Sequence, residues 1–401
     1  MKKLLAIIFA FILFICGCTP QPETPEDPSE TFFEQTAPST LPTLEANTEP
    51  TVTVTEATEP SEAPTEPIFD PYDIIQTMSD EELVGQMFLA RCPGKETGAA
   101  DVAAYHLGGY VLFGSDVENE TPDSLLATIN SYQQASKIPL LIAVDEEGGT
   151  VTRISSRSQY ADAKFNSPRL IFDQEGIEGI LNVETEKIKL LRSLGFNLNL
   201  APVCDITTDP NAFMYDRSLG QSPEITSNYI VSVLELYRSQ GFGAMLKHFP
   251  GYGNNTDTHI GIALDERPLE LLECNDLAPF AAGIQNGCHA IMVSHTIIKA
   301  LDPELPASLS ASVVEYLRKN MLFEGVICTD DLIMQAITDL YGDAEAAVMA
   351  VTAGIDLLCS SSYQVQYEAV LAAVKDGTID RSSIEASVAR ILLWKHSLGM
   401  I

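Results

Sequence analysis

The sequence predicts an α/β fold, namely a single (β/α)8 barrel of the TIM type that is preceded by a disordered linker. Three observations support this prediction. Short apolar strands alternate with longer amphipathic segments over residues 69–401. Glycine follows several helix-like segments just before the next strand, as at Gly195, Gly241 and Gly287. Polar residues that can carry chemistry cluster where strands end, which is where barrels of this type build their active sites.

The apolar runs give eight candidate strands. They are Gln86–Ala90, Tyr110–Phe113, Leu140–Asp145, Phe196–Val203, Ala244–Phe249, Ala290–His295, Gly325–Asp330 and Gly354–Cys359. Helix-like segments lie between most of them, among them Ser222–Ser239, Ser308–Asn320 and Ala344–Ala353. Repeated βα units of this number favour a parallel sheet closed into a barrel, and a doubly wound open sheet is the alternative.

The N-terminal residues predict a bacterial lipoprotein signal peptide over residues 1–17. Lys2 and Lys3 precede the apolar stretch Leu4–Ile15, which is too short to span a membrane. A small residue precedes Cys18, so cleavage there and lipidation of the Cys18 thiol are expected. The prediction places the protein at the extracellular face of the cell membrane, held only by its lipid anchor. An uncleaved anchor and an ordinary secretion signal are the alternatives.

Residues 18–68 combine the lipidated cysteine with a linker rich in Pro, Thr and Glu. Thr19–Pro67 contains eleven acidic residues and no Lys or Arg. Such a segment cannot bury enough apolar surface to offset its ordering entropy, so it is predicted to be disordered. The chain's net charge of −33 argues against nucleic acid or an anionic membrane surface as a partner. A monomer is expected.

The strongest chemical signal is the segment 247–259, which reads Lys-His-Phe-Pro-Gly-Tyr-Gly and continues to His259. Asp257 and His259 are two residues apart, which places their side chains on one side of an extended stretch. A carboxylate beside an imidazole fixes its tautomer and stabilises its protonated form. His259 is therefore a candidate general acid/base, with Asp257 as its partner.

Further polar blocks follow other predicted strands. Asp330 and Asp331 end an apolar run, where only one of two successive strand residues would face the barrel centre. Asp145 is followed by Gly-Gly and then Arg153, a pairing of acceptor and donor that suits sugar hydroxyls. Arg217 lies in a polar turn after the fourth strand. The cysteines form no C-x-x-C pair and no metal or cofactor motif is recognised, so neither a metal nor a cofactor is predicted.

These blocks together resemble glycoside hydrolase family 3, and in particular its bacterial β-N-acetylglucosaminidase branch, over residues 75–401. The resemblance implies that Asp330 is the nucleophile and that His259 is the proton donor, assisted by Asp257. It further implies sugar binding by Asp145, Arg153, Arg217, Lys247 and His248. The sequence departs from the family pattern at Glu146, Thr150, Tyr252 and Thr329.

The resemblance implies a retaining β-N-acetylglucosaminidase. It would hydrolyse terminal β-linked N-acetylhexosamine from glycans such as peptidoglycan fragments through a covalent glycosyl-enzyme. A family 3 β-glucosidase, a glycoside phosphorylase and a non-catalytic sugar-binding lipoprotein are the alternatives. A metal-dependent barrel hydrolase that uses His248, His259 and Asp330 is a further alternative from the residues alone.

Overall fold

The computed structural model describes residues 69–253, 255 and 257–401. The strands in this part of the chain are β1 (Phe88–Arg91), β2 (Gly109–Leu112), β3 (Leu141–Val144), β4 (Leu198–Asn199), β5 (Gly243–Ala244), β6 (Leu246–Phe249), β7 (Leu264–Asp265), β8 (Ala290–Val293), β9 (Ile297–Ile298), β10 (Val326–Thr329) and β11 (Leu358–Ser360). The predicted signal peptide, the predicted lipidation site Cys18 and the predicted linker lie outside the described residues.

The strand pairings close into a barrel. One sheet has the order β11-β1-β2-β3-β4-β5 and another the order β10-β8-β6, with every pair parallel. Parallel bridges between Val203 and Lys247 and between Cys328 and Leu357 join the two sheets at both edges. Because β5 and β6 are separated by a single residue, they act as one interrupted strand. The closed sheet therefore has eight barrel strands. The predicted barrel is confirmed, and the open sheet was the wrong alternative.

Helices on the outside of the barrel connect successive strands. They are α1 (Tyr72–Ile75), α2 (Asp80–Gln86), α3 (Gly98–Tyr105), α4 (Gly114–Val117), α5 (Pro122–Ala135), α6 (Pro168–Ser193), α7 (Pro223–Ser239), α8 (Leu269–Cys274), α9 (Ala278–Gln285), α10 (Ala311–Glu315), α11 (Gln335–Thr338), α12 (Asp343–Ala353), α13 (Tyr363–Lys375) and α14 (Arg381–Ser397). None of the helices in the described ranges has the length and apolar character needed to cross a membrane.

Side-chain caps explain where several helices begin. Ser222 accepts a hydrogen bond from the backbone of Ile225 and starts α7, as its position in the sequence predicts. Ser79 and Glu82 form a capping box that starts α2. The predicted helix Ser308–Asn320 is instead α10 followed by a π-helical turn over Tyr316–Asn320.

Several strands are shorter than predicted. The first does not begin at Gln86, because α2 continues through that residue. The last does not begin at Gly354, because that glycine has φ of 98° and caps α12. Between Phe196 and Val203 only the central Leu198–Asn199 pairs as a regular strand, and Val203 pairs through a single bridge. The apolar runs therefore located the barrel strands correctly but overestimated their lengths.

The core is formed by the strands and the inner faces of the helices. All four residues of β2, β3, β6, β8 and β10 are buried. Strands that are buried on both faces read as continuous apolar runs, which is why the barrel strands were visible in the sequence. The described residues belong to one compact unit.

Candidate active site

A cavity of about 720 Å³ opens at the carboxyl ends of the barrel strands. Asp145 directly follows β3 and Asp330 directly follows β10, so strand ends deliver both carboxylates to it. All eight side chains that the sequence assigned to catalysis or sugar binding line this cavity: Asp145, Arg153, Arg217, Lys247, His248, Asp257, His259 and Asp330. Its size is typical of a site for a small organic ligand.

The imidazole of His259 is paired with the carboxylate of Asp257. Oδ1 of Asp257 lies 2.6 Å from Nδ1 of His259 and also accepts the His259 backbone N–H at 2.9 Å. The two residues lie in a turn rather than in the extended stretch that the sequence suggested, and the turn itself brings the side chains together. The Asp257 carboxylate holds a proton on Nδ1, which leaves Nε2 to exchange protons with a ligand. The His259 side chain is 58% exposed, so it is accessible from the cavity mouth.

The loop that carries His259 is held in place by contacts next to the imidazole. Thr258 accepts a backbone hydrogen bond from Ala336 at 3.2 Å, which ties the loop to the start of α11. The buried Tyr252 hydroxyl lies 2.5 Å from Oγ1 of Thr258. The ring of Phe213 packs against His259 with the ring centroids 6.4 Å apart. The imidazole is therefore exposed, but its supporting backbone is fixed.

Asp330 lies at the end of β10 and faces the cavity. Its backbone N–H donates to the carbonyl of Val293, and its Oδ1 accepts the backbone N–H of Asp331 at 2.8 Å. Burial raises the pKa of Asp330, but the nearby imidazoles of His295 and His248 lower it by more. The net pKa therefore lies below the usual range. The Asp330 carboxylate is consequently ionised at neutral pH and available as a nucleophile.

Asp331 also contributes to the lining of the cavity, but both oxygens of its carboxylate bind protein groups, unlike the carboxylate of Asp330. The reason is not strand alternation, because β10 ends at Thr329. Asp331 binds the start of the segment after β11, where it accepts the Ser361 backbone N–H at 3.0 Å and the Ser361 hydroxyl. Burial raises the pKa of Asp331, the opposite direction from its neighbour Asp330. These contacts give Asp331 a structural role.

Lys247 and Arg217 form the floor of the cavity together with Asp145, and both cations contact the buried carboxylate of Glu147. Nζ of Lys247 lies 2.6 Å from Oδ1 of Asp145 and 2.7 Å from Oε1 of Glu147. Arg217 donates to Glu147 from Nε at 2.9 Å and from Nη2 at 2.7 Å. Burial lowers the pKa of Lys247, but Asp145 and Glu147 raise it to a net value above its usual one. Lys247 is therefore a charged donor at neutral pH.

His248 uses both ring nitrogens within the protein. Its Nδ1 lies 2.8 Å from Oδ2 of the buried Asp205, and its Nε2 lies 3.0 Å from Nη2 of Arg217. Because Nε2 faces a guanidinium group that must donate, this nitrogen accepts a hydrogen bond and is not free to bind a metal. Among the residues the structure describes, no three His, Cys, Asp or Glu side chains are grouped to hold a metal ion. This arrangement disfavours the metal-dependent alternative.

Arg153 reaches the cavity from a loop that Glu146 organises. The buried carboxylate of Glu146 accepts the backbone N–H groups of Arg153 and Ile154 at 2.8 Å each, and that of Ser155 at 3.2 Å. The Arg153 guanidinium lies 5.9 Å from the centre of the Phe113 ring. Its Nε is buried without a hydrogen-bond partner in the described part of the chain.

The sequence did not assign a role to Glu147 or to Asp205, although both contact predicted site residues. Asp205 is one of the polar residues at strand ends, two positions after the predicted strand Phe196–Val203. Glu147 stands in the run Asp145-Glu146-Glu147, and three successive acids after a fully buried strand are costly unless each has a partner. That cost was the available signal, and in the structure each of these three acids does have partners.

The chain is similar to known proteins over most of the described region. The profile described as "Glycosyl hydrolase family 3 N terminal domain" matches residues 79–393. "Beta-hexosaminidase LpqI" of Mycobacterium tuberculosis is 29% identical over 337 residues, which cover 81% of this chain and 85% of that protein. "Beta-hexosaminidase" of Xanthomonas campestris pv. campestris is 30% identical over 287 residues, which cover 71% of this chain and 86% of that protein.

Solved structures agree with this similarity. A "glycoside hydrolase family 3 beta-N-acetylglucosaminidase from Paenibacillus sp. str. FPU-7" matches with a TM-score of 0.75 at 30% identity, over 81% of this chain and 63% of that chain. The structure of "M tuberculosis LpqI" also matches with a TM-score of 0.75, at 27% identity, over 82% of this chain and 96% of that chain. The similarity thus extends over nearly all of the barrel.

Proposed function

This chain belongs to glycosyl hydrolase family 3, and from that premise we propose that it is a retaining β-N-acetylglucosaminidase. It removes terminal β-linked N-acetylhexosamine from glycans through a covalent glycosyl-enzyme. The relatives named beta-hexosaminidase and the solved family 3 beta-N-acetylglucosaminidase support this choice within the family.

One observation carries the proposal. A partly buried, ionised carboxylate, that of Asp330, and an accessible imidazole with its own carboxylate partner, that of His259, line the same cavity. Hydrolysis of a glycoside with retention needs a nucleophile and an acid/base at one glycosidic bond. The floor formed by Asp145, Lys247 and Arg217 supplies an acceptor and donors for the hydroxyls of the sugar.

In the first step, an oxygen of Asp330 attacks the anomeric carbon and the bond to the leaving oxygen breaks. His259, protonated at the start, gives its proton to that oxygen, so the aglycone leaves as a neutral alcohol. The product of this step is a glycosyl ester on Asp330.

In the second step, water replaces the aglycone. His259 is now neutral and takes a proton from the water as the water oxygen attacks the anomeric carbon. The ester bond to Asp330 breaks, and the sugar leaves with its original anomeric configuration. His259 ends the cycle protonated and Asp330 ends it ionised, so both groups return to their starting states.

The cellular role that we propose comes from the sequence and the relatives. The signal sequence and Cys18 support a lipid-anchored protein at the extracellular face of the cell membrane. N-acetylglucosamine-terminated fragments of peptidoglycan are a natural substrate at that location, so a role in peptidoglycan turnover is proposed. The protein is proposed to act as a monomer.

The direct test is a panel of nitrophenyl glycosides, with product anomers followed by NMR. We expect turnover of the N-acetylglucosaminide with release of the β-anomer first, and little turnover of the glucoside. Adding phosphate should not produce a sugar phosphate. Release of the α-anomer first would contradict a retaining mechanism, and preferential turnover of the glucoside would contradict the hexosaminidase assignment.

Two substitutions test the assigned roles. Asp330→Ala should abolish turnover, whereas Asp339→Ala, which removes an exposed carboxylate nearby, should not. His259→Ala should lower kcat/KM about 10²- to 10⁴-fold with a poor leaving group and much less with a dinitrophenolate, which needs no proton when it leaves. Turnover of the Asp330 variant at the wild-type rate would remove the nucleophile assignment.

A further inference from the structure

We propose that Glu147 is a positioning residue for sugar binding, one that fixes Lys247 and Arg217 as a pair of oriented donors. This inference rests on the proposed function, because it assigns those two cations to the substrate. Glu147 does not line the cavity and its side chain is only 2% exposed, so it acts through its two partners rather than on the sugar.

The contacts of Glu147 connect three separate parts of the barrel. Its carboxylate follows β3, while Lys247 lies in β6 and Arg217 lies in the segment between β4 and α7. Arg217 makes a two-pronged contact with both carboxylate oxygens, at 2.9 and 2.7 Å, and Lys247 approaches Oε1 at 2.7 Å. A two-pronged contact fixes the plane of the guanidinium as well as its distance. Glu147 is thus the common contact of two cations on different elements.

Charge balance supports the same role. Lys247 is buried and Arg217 is partly buried beside the cavity, and the two cations would repel each other without a shared counter-charge. Burial raises the pKa of Glu147, but Arg217 and Lys247 lower it to a net value far below the usual range, so it is anionic throughout the physiological range. Asp145 neutralises Lys247 from the cavity side, which leaves Glu147 as the charge that compensates Arg217.

The backbone of Glu147 is also held from behind. Nζ of the buried Lys187 donates to the Glu147 carbonyl at 3.0 Å and to the Glu184 carboxylate at 2.5 Å. The Tyr237 hydroxyl donates to the same carboxylate at 2.7 Å. A residue fixed at both its carbonyl and its carboxylate is suited to holding others in place.

The test compares Glu147→Gln with a matched control, Asp356→Asn. Asp356 is likewise buried between two arginines, Arg318 and Arg390, but it precedes β11 at the opposite end of the barrel. Removing either charge should destabilise the fold, because each substitution leaves buried cations without a partner. Only the Glu147 variant should raise KM for a nitrophenyl N-acetylglucosaminide, by about 10- to 100-fold, with kcat changed much less.

A pH profile provides a second measurement that a purely structural role would not affect. Without Glu147, Lys247 keeps only Asp145 to raise its pKa, whereas burial and Arg217 lower it. KM of the Glu147→Gln variant should therefore rise further between neutral and alkaline pH, while that of the wild type stays level over this range. If Glu147→Gln does not fold, Glu147→Asp can replace it. This variant keeps the charge on a shorter side chain and should raise KM above the wild-type value, though less than the roughly 10- to 100-fold expected for loss of the charge.

The outcomes separate this inference from the proposed function. Hydrolysis by the wild type and by Asp356→Asn tests the proposed function, whatever the Glu147 variants do. A folded Glu147→Gln protein with the KM and pH profile of the wild type would overturn the positioning role and leave the hydrolase assignment intact. Equal losses in the Glu147 and Asp356 variants would also overturn it, because the effect would then follow stability.

Discussion

At the residue scale, the cavity is built from polar side chains at strand ends and from buried partners that hold them in place. Asp330 and His259 stand in segments whose composition has a direct chemical meaning, and both line the cavity. The partners of these segments come from distant parts of the chain. Glu147 meets Arg217 across 70 positions and Asp205 meets His248 across 43, and no local pattern encodes such pairings.

Asp205 gives a prediction at this scale. Its Oδ2 accepts both the backbone N–H and the Nδ1 of His248, and its Oδ1 accepts the Tyr252 N–H at 2.8 Å. Asp205→Asn replaces one acceptor oxygen by a donor and removes the charge that fixes the His248 tautomer. We expect kcat/KM to fall about 10- to 100-fold, the value of a charged hydrogen bond or two. Asp209→Asn, on the same loop, should retain wild-type kinetics, and equal losses in both variants would contradict this explanation.

At the element scale, the order of the barrel strands could be predicted, but the residues at which each strand begins and ends could not. An apolar run marks burial, but burial continues beyond the hydrogen-bonded strand into the flanking residues. Phe196–Val203 is an example, since seven of its eight residues are buried while only Leu198–Asn199 forms the regular strand. The turn at Asp257 was missed because its conformation depends on a hydrogen bond from the His259 backbone N–H to the Asp257 side chain.

The loop between β6 and β7 carries the element-scale prediction. Tyr252→Phe removes the hydroxyl that lies 2.5 Å from Oγ1 of Thr258, next to the proposed acid/base His259. The loop should become less ordered, and kcat/KM should fall about tenfold for substrates whose leaving group needs a proton. A dinitrophenyl substrate should keep the wild-type kcat/KM, because its leaving group needs no proton in the first step. A uniform loss with both substrates would mean that Tyr252 supports the nucleophile or sugar binding instead.

At the scale of the whole molecule, the sequence predicted the closed parallel barrel and the family. The alternation of strands and helices implied the barrel, and the closed pairing of eight barrel strands confirms it. The family resemblance is confirmed by the match over residues 79–393 and by the similar solved structures. The sequence did not reveal which charges would be buried far from the site. Lys395 reads as an ordinary polar residue near the end of a helix, yet it is fully buried in the fold.

Lys395 leads to a prediction about the stability of the entire barrel. It lies on α14, and its Nζ donates to Oε1 of Gln86 at 2.9 Å, at the end of α2 that precedes β1. Burial lowers the pKa of Lys395 from 10.5 to about 7. Between these two pH values the unfolded chain binds more protons at this residue than the folded chain does. The free energy of unfolding therefore gains from this residue as pH rises from about 7 towards 10.5, and loses most below pH 7.

Lys395→Met removes the cost of burying the amine and keeps the side-chain volume. The pKa change corresponds to roughly 5 kcal/mol, against which about 1–3 kcal/mol is lost because Oε1 of Gln86 no longer has this donor. We expect the variant to unfold at a higher temperature than the wild type near pH 6–7, with the difference shrinking as pH approaches 9. Calorimetry of both proteins across this range measures the difference directly, and other titrating groups cancel because they are common to both. Since Lys395 lies at the end of the barrel opposite the cavity, kcat/KM of the variant should stay at the wild-type value. A difference in stability between the two proteins that is constant with pH would show that Lys395 is charged in the folded protein.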